Sequence, residues 1–164
     1  MPQVWLSLGT NMGRREENLE RALLALQAIG TVTAVSLVYE TKPWGLLAQA
    51  DFLNVCAAAT TSLAPRPLLT TLKIIERELG REPGLPWGPR LIDLDILFYD
   101  DLVYHDDHLT IPHPLLAERA FVLVPLADIA PQLRHPITQQ RVLDLLTRVD
   151  VSTVAPYSRL SWQH

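Results

Sequence analysis

Two aspartates, Asp93 and Asp95, lie one residue apart in a segment with the pattern of a β-strand. In a strand, side chains at positions i and i+2 point to the same side of the sheet, so the two carboxylates are expected side by side. Adjacent carboxylates repel each other unless a cation or a proton intervenes. Mg²⁺ suits this place because it binds one or two carboxylates together with phosphate oxygens. The pair therefore predicts a magnesium–phosphate site, with two solvated side chains on an exposed sheet face as the simpler alternative.

The charge of the chain changes sign just upstream of this pair. Residues 66–90 contain five basic and three acidic side chains, whereas residues 91–108 contain six aspartates and no lysine or arginine. Basic groups ahead of paired carboxylates suit a polyphosphate, whose oxygens bind cations directly and aspartates through a metal. The chain has neither a Gly-x-x-x-x-Gly-Lys-Ser/Thr loop nor a Gly-rich dinucleotide fingerprint, so a nucleotide must be held in another way.

Three aromatic side chains, Trp44, Phe52 and Phe121, lie where they could stack on a flat ligand. Asn54 follows Phe52 by two residues and so shares its side of the strand, where its amide could hydrogen-bond to the edge of a heterocycle. From the residues alone, hydrophobic plugs are the commoner alternative for such aromatics.

The elements that position these residues follow from hydrophobic periodicity. Strands are predicted at 4–8, 32–41, 52–61 and 91–99, the first with Val4, Leu6 and Leu8 on one face. Apolar residues at helical spacing predict one helix that ends before Gly30 and another from about Pro65 to Gly80. The order β-α-β-β-α-β is typical of the α+β class, a ferredoxin-like antiparallel sheet, with C-terminal helices covering its second face.

Finer expectations concern the last predicted strand and the C-terminal third. Ile92, Leu94, Ile96 and Phe98 are expected on one face of the strand, opposite the two aspartates. Asp100 and Asp101 are expected to turn a hairpin into residues 102–104. Short helices are expected near 115–120 and 139–148, and loops at 42–51 and 83–89.

Length and composition limit the class of protein. The 164 residues suit a single domain, 1–164, and the net charge of −4 lacks the basic excess of a nucleic-acid binder. The sequence contains no uninterrupted apolar run of the ~18 residues that a membrane helix needs. The single cysteine, Cys56, and an N-terminus without a signal-like pattern predict a cytoplasmic protein.

The run Trp-Gly-Pro-Arg-Leu-Ile-Asp-Leu-Asp-Ile-Leu at 87–97 closely resembles the W-G-P-R-x-x-D-L-D-I signature of the hydroxymethyldihydropterin pyrophosphokinases. Further motifs occur in the order of that family: L-G-T-N at 8–11, Y-E-T at 39–41, F-L-N at 52–54, E-R-E-L-G-R at 76–81 and L-T-I-P-H-P at 109–114. Together they cover about residues 4–135.

The resemblance implies a ferredoxin-like enzyme of folate biosynthesis. Such an enzyme transfers the pyrophosphoryl group of ATP to the hydroxymethyl oxygen of 6-hydroxymethyl-7,8-dihydropterin, releases AMP and uses two Mg²⁺ ions. The expected partners are these two substrates, with no nucleic acid and no membrane, in a monomer or weak homodimer. The proline-rich loop at 83–89 is expected to close over the site.

The resemblance also assigns residues. Asp93 and Asp95 would bind the metal ions, and Asp95, Arg81 and Arg90 would be catalytic. ATP would contact Lys73, Glu76, Arg81, Trp87, Arg90, Ile96, His113 and Arg119. The pterin would lie among Thr41, Pro43, Trp44, Phe52, Asn54 and Phe121, between the two phenylalanine rings.

Several alternatives stay open from the sequence. Pro83 and Pro86 occupy positions where many family members carry arginines, so Arg81, Arg90 and Lys73 must suffice or the enzyme is slower. A metal-dependent hydrolase or glycosyltransferase with an Asp-x-Asp pair, and a non-catalytic pterin- or nucleotide-binding module, are the other classes. A structural role is the alternative for four of the assigned residues: Glu76 as a helix-edge charge, Trp87 as packing beneath the loop, His113 as a loop histidine and Arg119 as a solvated helix residue.

Overall fold

The computed structural model describes residues 1–42, 50–80 and 91–162. The elements in these ranges are β1 (Gln3–Thr10), α1 (Arg15–Ala25), β2 (Gly30–Val35), β3 (Val38–Thr41), β4 (Phe52–Thr61), α2 (Pro65–Glu78), β5 (Asp93–Tyr99), β6 (Tyr104–His105), β7 (Thr110–Ile111), α3 (Ala120–Ile129), α4 (Val142–Leu146) and β8 (Val154–Ser158). Single 3-10 turns occur at Leu26–Ala28 and Leu116–Glu118. No helix in these ranges has both the length and the apolar character needed to span a bilayer.

The main sheet is antiparallel throughout, with the strand order β5-β1-β4-β3-β8 and with β2 also paired to β4. Strands β2 and β3 lie along the same side of β4, where a ferredoxin-like sheet has one strand. The predicted ferredoxin-like order is therefore confirmed, and β8 extends the sheet by one strand at the β3 edge.

Helices cover both faces of this sheet, as predicted. Leu6 of β1 packs in one buried cluster with Leu19 of α1 and Leu72 of α2. Trp5 belongs to a second cluster on the opposite face, together with Val122 of α3 and further residues of α3 and α4. The alternation of residues along β1 thus supplies two cores, and the molecule has three layers.

The predicted strand at 32–41 is wrong in one respect, because it is interrupted at residues 36–37. The Ser36 hydroxyl accepts a hydrogen bond from the Cys56 amide at 3.0 Å, and the Ser36 amide donates to the Cys56 carbonyl at 2.9 Å. A side-chain oxygen therefore replaces a backbone carbonyl in the ladder, and β2 ends before β3 begins.

The predicted face of Phe98 is also wrong. Trp5 is paired with Phe98 and Leu6 with Ile96, so Leu97 is an extra residue in β5 at a β-bulge. The bulge turns Phe98 into the second core, where its ring meets that of Trp5 edge to face with centroids 6.3 Å apart. Ile92, Leu94 and Ile96 stay in the first core as expected.

The expected hairpin into residues 102–104 is wrong as well. The Leu102 amide donates to the Tyr99 carbonyl at 2.9 Å and closes the turn, but β6 then pairs with β7 rather than with β5. Asp106 stabilises this second hairpin, because its Oδ1 accepts the His108 amide at 2.7 Å and the Leu109 amide at 2.9 Å.

In the C-terminal third, α4 lies within the predicted range 139–148, whereas residues 115–120 form only the 3-10 turn Leu116–Glu118. Helix α3 and strand β8 were not predicted. Helix α3 contains Pro125 in its interior and almost only apolar residues, so its sequence shows a helix-breaking residue and no amphipathic period.

The first helix ends before Gly30 as predicted, because α1 and the 3-10 turn that follows it stop at Ala28, and Gly30 is the first residue of β2. A Cβ at this position would lie 1.9 Å from the carbonyl oxygen of Thr60, so only glycine permits this approach of β2 to β4. Gly80 does follow α2 as predicted, with a φ of +100°.

Candidate active site

Residues of four strands meet on the sheet face that carries the second core. Gly9 on β1 is paired with Asn54 on β4 and with Asp93 on β5. Paired residues project to the same face, so Asn54, Gly9 and Asp93 form one row across three strands. Asp95 lies two residues from Asp93, and Phe52 lies two residues from Asn54. Both therefore share this face.

Gly9 keeps the middle of this row open. A Cβ on Gly9 would lie 3.0 Å from Oδ1 of Asn54 and 3.9 Å from Cδ1 of Phe52. The sequence analysis did not assign Gly9 to the site. A glycine inside a strand pattern is nevertheless a signal for a close approach of a ligand or another chain segment.

Thr41 and Asn54 are joined across β3 and β4. Nδ2 of Asn54 donates to Oγ1 of Thr41 at 2.9 Å, and both side chains are buried. Thr41 is also the register partner of Phe52. The structure thus brings together three of the residues predicted to contact the pterin and fixes the orientation of the Asn54 amide.

The two aspartates are electrostatically coupled. Burial, reinforced by the charge of Asp93, raises the pKa of Asp95 to about 7, while Lys73 and Arg119 act in the opposite direction. A dication between the carboxylates would relieve this cost, and two hard oxygen ligands suit Mg²⁺. Among the described residues, no group of three or more His, Cys, Asp or Glu could hold a metal ion alone.

Glu76 is not a solvated helix-edge charge, because only 2% of its surface is exposed. Its Oε2 accepts the Leu94 amide at 2.8 Å, and its Oε1 lies 3.1 Å from Nζ of Lys73. Strand β5 is at the edge of the main sheet, so the Leu94 amide points away from β1 and toward α2. Glu76 therefore holds the backbone segment between Asp93 and Asp95.

The side chain of Ile96 is buried in the first core and is not on the face of the aspartates. Ile96 follows Leu94 by two residues, so its backbone amide points to the same sheet edge as the Leu94 amide. A nucleotide contact with Ile96 would therefore involve its backbone at this edge.

His113 and Arg119 approach the aspartates from the segment before α3. Nδ1 of His113 accepts the Leu115 amide at 3.1 Å, which leaves the ring proton on Nε2. Burial, followed by the charge of Arg119, lowers the pKa of His113 to about 4, so the ring is neutral at neutral pH. The Arg119 guanidinium carbon lies 5.5 Å from the centroid of the Phe121 ring.

Some predicted site residues fall outside the described ranges: Pro43, Trp44, Arg81, Trp87 and Arg90, together with Pro83 and Pro86. Of the two predicted stacking rings, Phe52 lies on the site face, and Phe121 is half-buried and packs against the second core. Stacking of a ligand between them stays a prediction.

The raised pKa of Asp95 predicts a pH-dependent stability in the metal-free protein. Its folded pKa of about 7 lies above its ordinary value of 3.8, so the folded protein binds more protons than the unfolded chain between these values. The contribution of Asp95 to stability therefore falls as the pH rises through this range. In thermal melts with EDTA, Asp95→Asn is expected to raise the Tm more at about pH 8 than at about pH 5. An equal effect at both pH values would contradict the assignment.

Comparison with known proteins identifies relatives over most of the chain. A sequence model of the 7,8-dihydro-6-hydroxymethylpterin-pyrophosphokinase (HPPK) family matches residues 5–131. The 2-amino-4-hydroxy-6-hydroxymethyldihydropteridine pyrophosphokinase of Aquifex aeolicus is 43% identical over 137 residues, which cover 84% of this chain and 86% of the relative. The enzyme of the same name from Bacillus subtilis is 46% identical over 137 residues, with 82% of each chain covered.

Longer proteins also match. The folic acid synthesis protein fol1 of Pneumocystis carinii is 39% identical over 158 residues, 94% of this chain but 21% of that protein. A crystal structure of Plasmodium falciparum HPPK-DHPS superimposes with a TM-score of 0.76 over 90% of this chain and 45% of that chain. At 18% identity this superposition shows the shared fold.

The sequence matches and the fold define the chain as an enzyme of the pyrophosphokinase class. It belongs to the HPPK family. It transfers pyrophosphate from ATP to the hydroxymethyl group of hydroxymethyldihydropterin in folate biosynthesis. The family, the class of enzyme and the reaction predicted from the sequence are thereby confirmed.

Proposed function

We propose that the sheet face described above is where this transfer takes place. Asp93 and Asp95 would hold two Mg²⁺ ions against the triphosphate of ATP, and Thr41, Phe52 and Asn54 would hold the pterin. The observation that carries the proposal is the row Asn54, Gly9, Asp93, in which a buried amide and a carboxylate flank a position without a side chain.

The chemistry is a substitution at the β-phosphorus. The hydroxymethyl oxygen forms a bond to that phosphorus and releases its proton to water, and the bond from the phosphorus to the α,β-bridging oxygen breaks, so AMP leaves with that oxygen. When bound, Mg²⁺ would offset the charge of the triphosphate. Lys73 and Arg119 favour the anionic form of Asp95, which is the form that binds a metal. The neutral ring of His113 offers its Nε2 proton to a phosphate oxygen.

The pterin subsite uses a stacking face and an amide. Phe52 offers the face of its ring, and Asn54 is held by Thr41 so that its amide can recognise the edge of the heterocycle. Phe121 would supply the second stacking ring, with the guanidinium of Arg119 already against it. Pro43 and Trp44 are proposed as further pterin contacts on the family resemblance.

The ATP subsite combines described and undescribed residues. Lys73, His113 and Arg119 supply donors near the aspartates, and Ile96 supplies its backbone at the edge of β5. Arg81, Trp87 and Arg90 are proposed as further contacts on the family resemblance, Arg81 and Arg90 also as catalytic groups. Glu76, in this proposal, acts on the nucleotide through β5 and Lys73.

We also propose a single domain over residues 1–164, a cytoplasmic location, and a monomer or weak homodimer.

The test is the identity of the nucleotide product. Incubation with ATP, Mg²⁺ and 6-hydroxymethyl-7,8-dihydropterin is expected to give AMP and the pterin pyrophosphate in equal amounts. Phe52→Ala is expected to raise the KM for the pterin, and replacement of Mg²⁺ by EDTA is expected to stop turnover. ADP or free phosphate as the main product would contradict the proposed chemistry at this face.

A further inference from the structure

One guanidinium, that of Arg15 at the first position of α1, links several segments beside the pterin-binding residues. Its Nη1 donates to Oε2 of Glu40 at 2.8 Å and to the carbonyl oxygen of Asp51 at 2.9 Å. Its guanidinium carbon lies 5.5 Å from the ring centroid of Tyr157 on β8. The side chain is 23% exposed, so these bonds are partly shielded from water.

The two bonds act on the residues that precede the proposed pterin contacts. Glu40 precedes Thr41 at the end of β3, and Asp51 precedes Phe52 at the start of β4. Thr41 and Phe52 are register partners at the last rung of the β3–β4 ladder. The bonds of Arg15 therefore fix both sides of the rung on which the pterin would rest.

Asn11, in the turn between β1 and α1, makes a further link to the same region. Its Nδ2 donates to the carbonyl oxygen of Ala50 at 3.1 Å, next to the carbonyl that Arg15 binds. The start of α1 and the turn before it thus hold two successive carbonyls, at positions 50 and 51. Because strand ends fray without such ties, these contacts from α1 and the turn before it add to the pairing of Thr41 with Val154 of β8 in holding this end of the ladder.

We propose that Arg15 is a positioning residue for the pterin subsite. It makes no proposed contact with either substrate, and it fixes Thr41 and Phe52 through Glu40 and the Asp51 carbonyl. The role rests on the proposed function, since it takes Thr41 and Phe52 as pterin contacts. Its effect is specific to one substrate, because Asp93, Asp95 and His113 are positioned by other contacts.

The neighbouring arginine is a matched control. The side chain of Arg14 is 88% exposed. Its Nη1 lies 3.6 Å from Oε2 of Glu17, which follows one helical turn later, and the two form an ion pair. Arg14→Met and Arg15→Met remove the same charge at adjacent positions. Only Arg15→Met removes hydrogen bonds to the β3–β4 ladder.

The experiment compares the KM for each substrate in these variants. Arg15→Met is expected to raise the KM for the pterin about tenfold and to change the KM for ATP less than about twofold, as the loss of charge-assisted hydrogen bonds predicts. Arg14→Met should leave both KM values within about twofold. Glu40→Gln should raise the pterin KM in the same direction, and combining it with Arg15→Met should add little.

Two outcomes would overturn the positioning role. One is an unchanged pterin KM in Arg15→Met; the other is an equal rise of both KM values, as general destabilisation would produce. If Arg15→Met does not fold, Arg15→Lys and Glu40→Gln are judged by the same ratio of KM values. Phe52→Ala separates the two proposals. If Phe52→Ala leaves the pterin KM unchanged, the assignment of the pterin subsite fails. If the pterin KM rises in Phe52→Ala but not in Arg15→Met, only the role of Arg15 is removed.

Discussion

Asp95→Asn is expected to lower kcat by about 10³-fold or more, because preorganised charge stabilisation is the main source of rate in phosphoryl transfer. The amide keeps the size of the side chain but loses the negative charge with which a carboxylate binds Mg²⁺. The folded state is expected to survive and to gain stability, because the neutral amide removes the repulsion from Asp93 and the cost of desolvating a charge.

The measurement is single-turnover formation of AMP together with a thermal melt in EDTA. Asp107→Asn is the control, since this exposed aspartate lies between β6 and β7 and should change neither quantity. Near-normal turnover in Asp95→Asn would remove this carboxylate from the mechanism. A large loss of stability in the same variant would instead assign it a structural role.

The second large effect is expected for Glu76→Ala. This change leaves the Leu94 amide without its acceptor inside the protein, which costs about 1–3 kcal/mol in the free energy of unfolding. It also frees the backbone between Asp93 and Asp95, so kcat should fall along with stability. Glu76→Gln, which keeps an acceptor for the amide, is expected to lose less of both.

Urea unfolding and steady-state kinetics of the same preparations test this expectation. Glu78→Ala is the matched control, because Glu78 lies two residues further along α2 with an exposed side chain. If Glu76 only contacted nucleotide, Glu76→Ala would raise the KM for ATP and leave the unfolding of the ligand-free protein unchanged. That result would contradict a role through β5.

The order of elements was predictable because most of them have a clear hydrophobic period. Leu19, Ala22 and Leu23 lie on the buried side of α1, and the predicted range of β4, 52–61, agrees with the observed strand. Helix α3 lacked such a signal, because it is apolar on nearly every side and contains Pro125. Its helical state depends on its packing against β4, which local sequence does not reveal.

The face of Phe98 was not predictable, because a pattern that assigns every second residue to the same face of the strand cannot include the extra residue of a β-bulge. The bulge at Leu97 depends on how β5 pairs with β1, which at this point lies at least ninety residues earlier in the sequence, as the pairs Leu6 with Ile96 and Trp5 with Phe98 show. The break between β2 and β3 is similar, since the Ser36 hydroxyl replaces a backbone acceptor only once β4 lies beside it.

The site itself was predictable where the spacing is local. Asp93 and Asp95, and likewise Phe52 and Asn54, share a face because two residues separate them along a strand. The positions of Gly9 and Arg15 beside these residues depend on strand register and on a helix start, and for Gly9 the sequence offered only the general signal of a glycine within a strand. The family resemblance assigned Glu76 to ATP, and the burial of Glu76 and its bond to the Leu94 amide emerged only from the structure.

The strand pairing also fixes the distance across the row from Asn54 through Gly9 to Asp93. Neighbouring strands lie about 4.8 Å apart, so the outer two members are on backbones roughly 10 Å apart. Hydrogen bonds between main chains maintain this separation, and no exchange of side chains at the rim can shorten or lengthen it. If the pterin and the triphosphate bind as proposed, an alcohol carried on a longer arm than hydroxymethyl would overshoot the phosphorus it must reach, and the enzyme would reject larger pterin alcohols by this means.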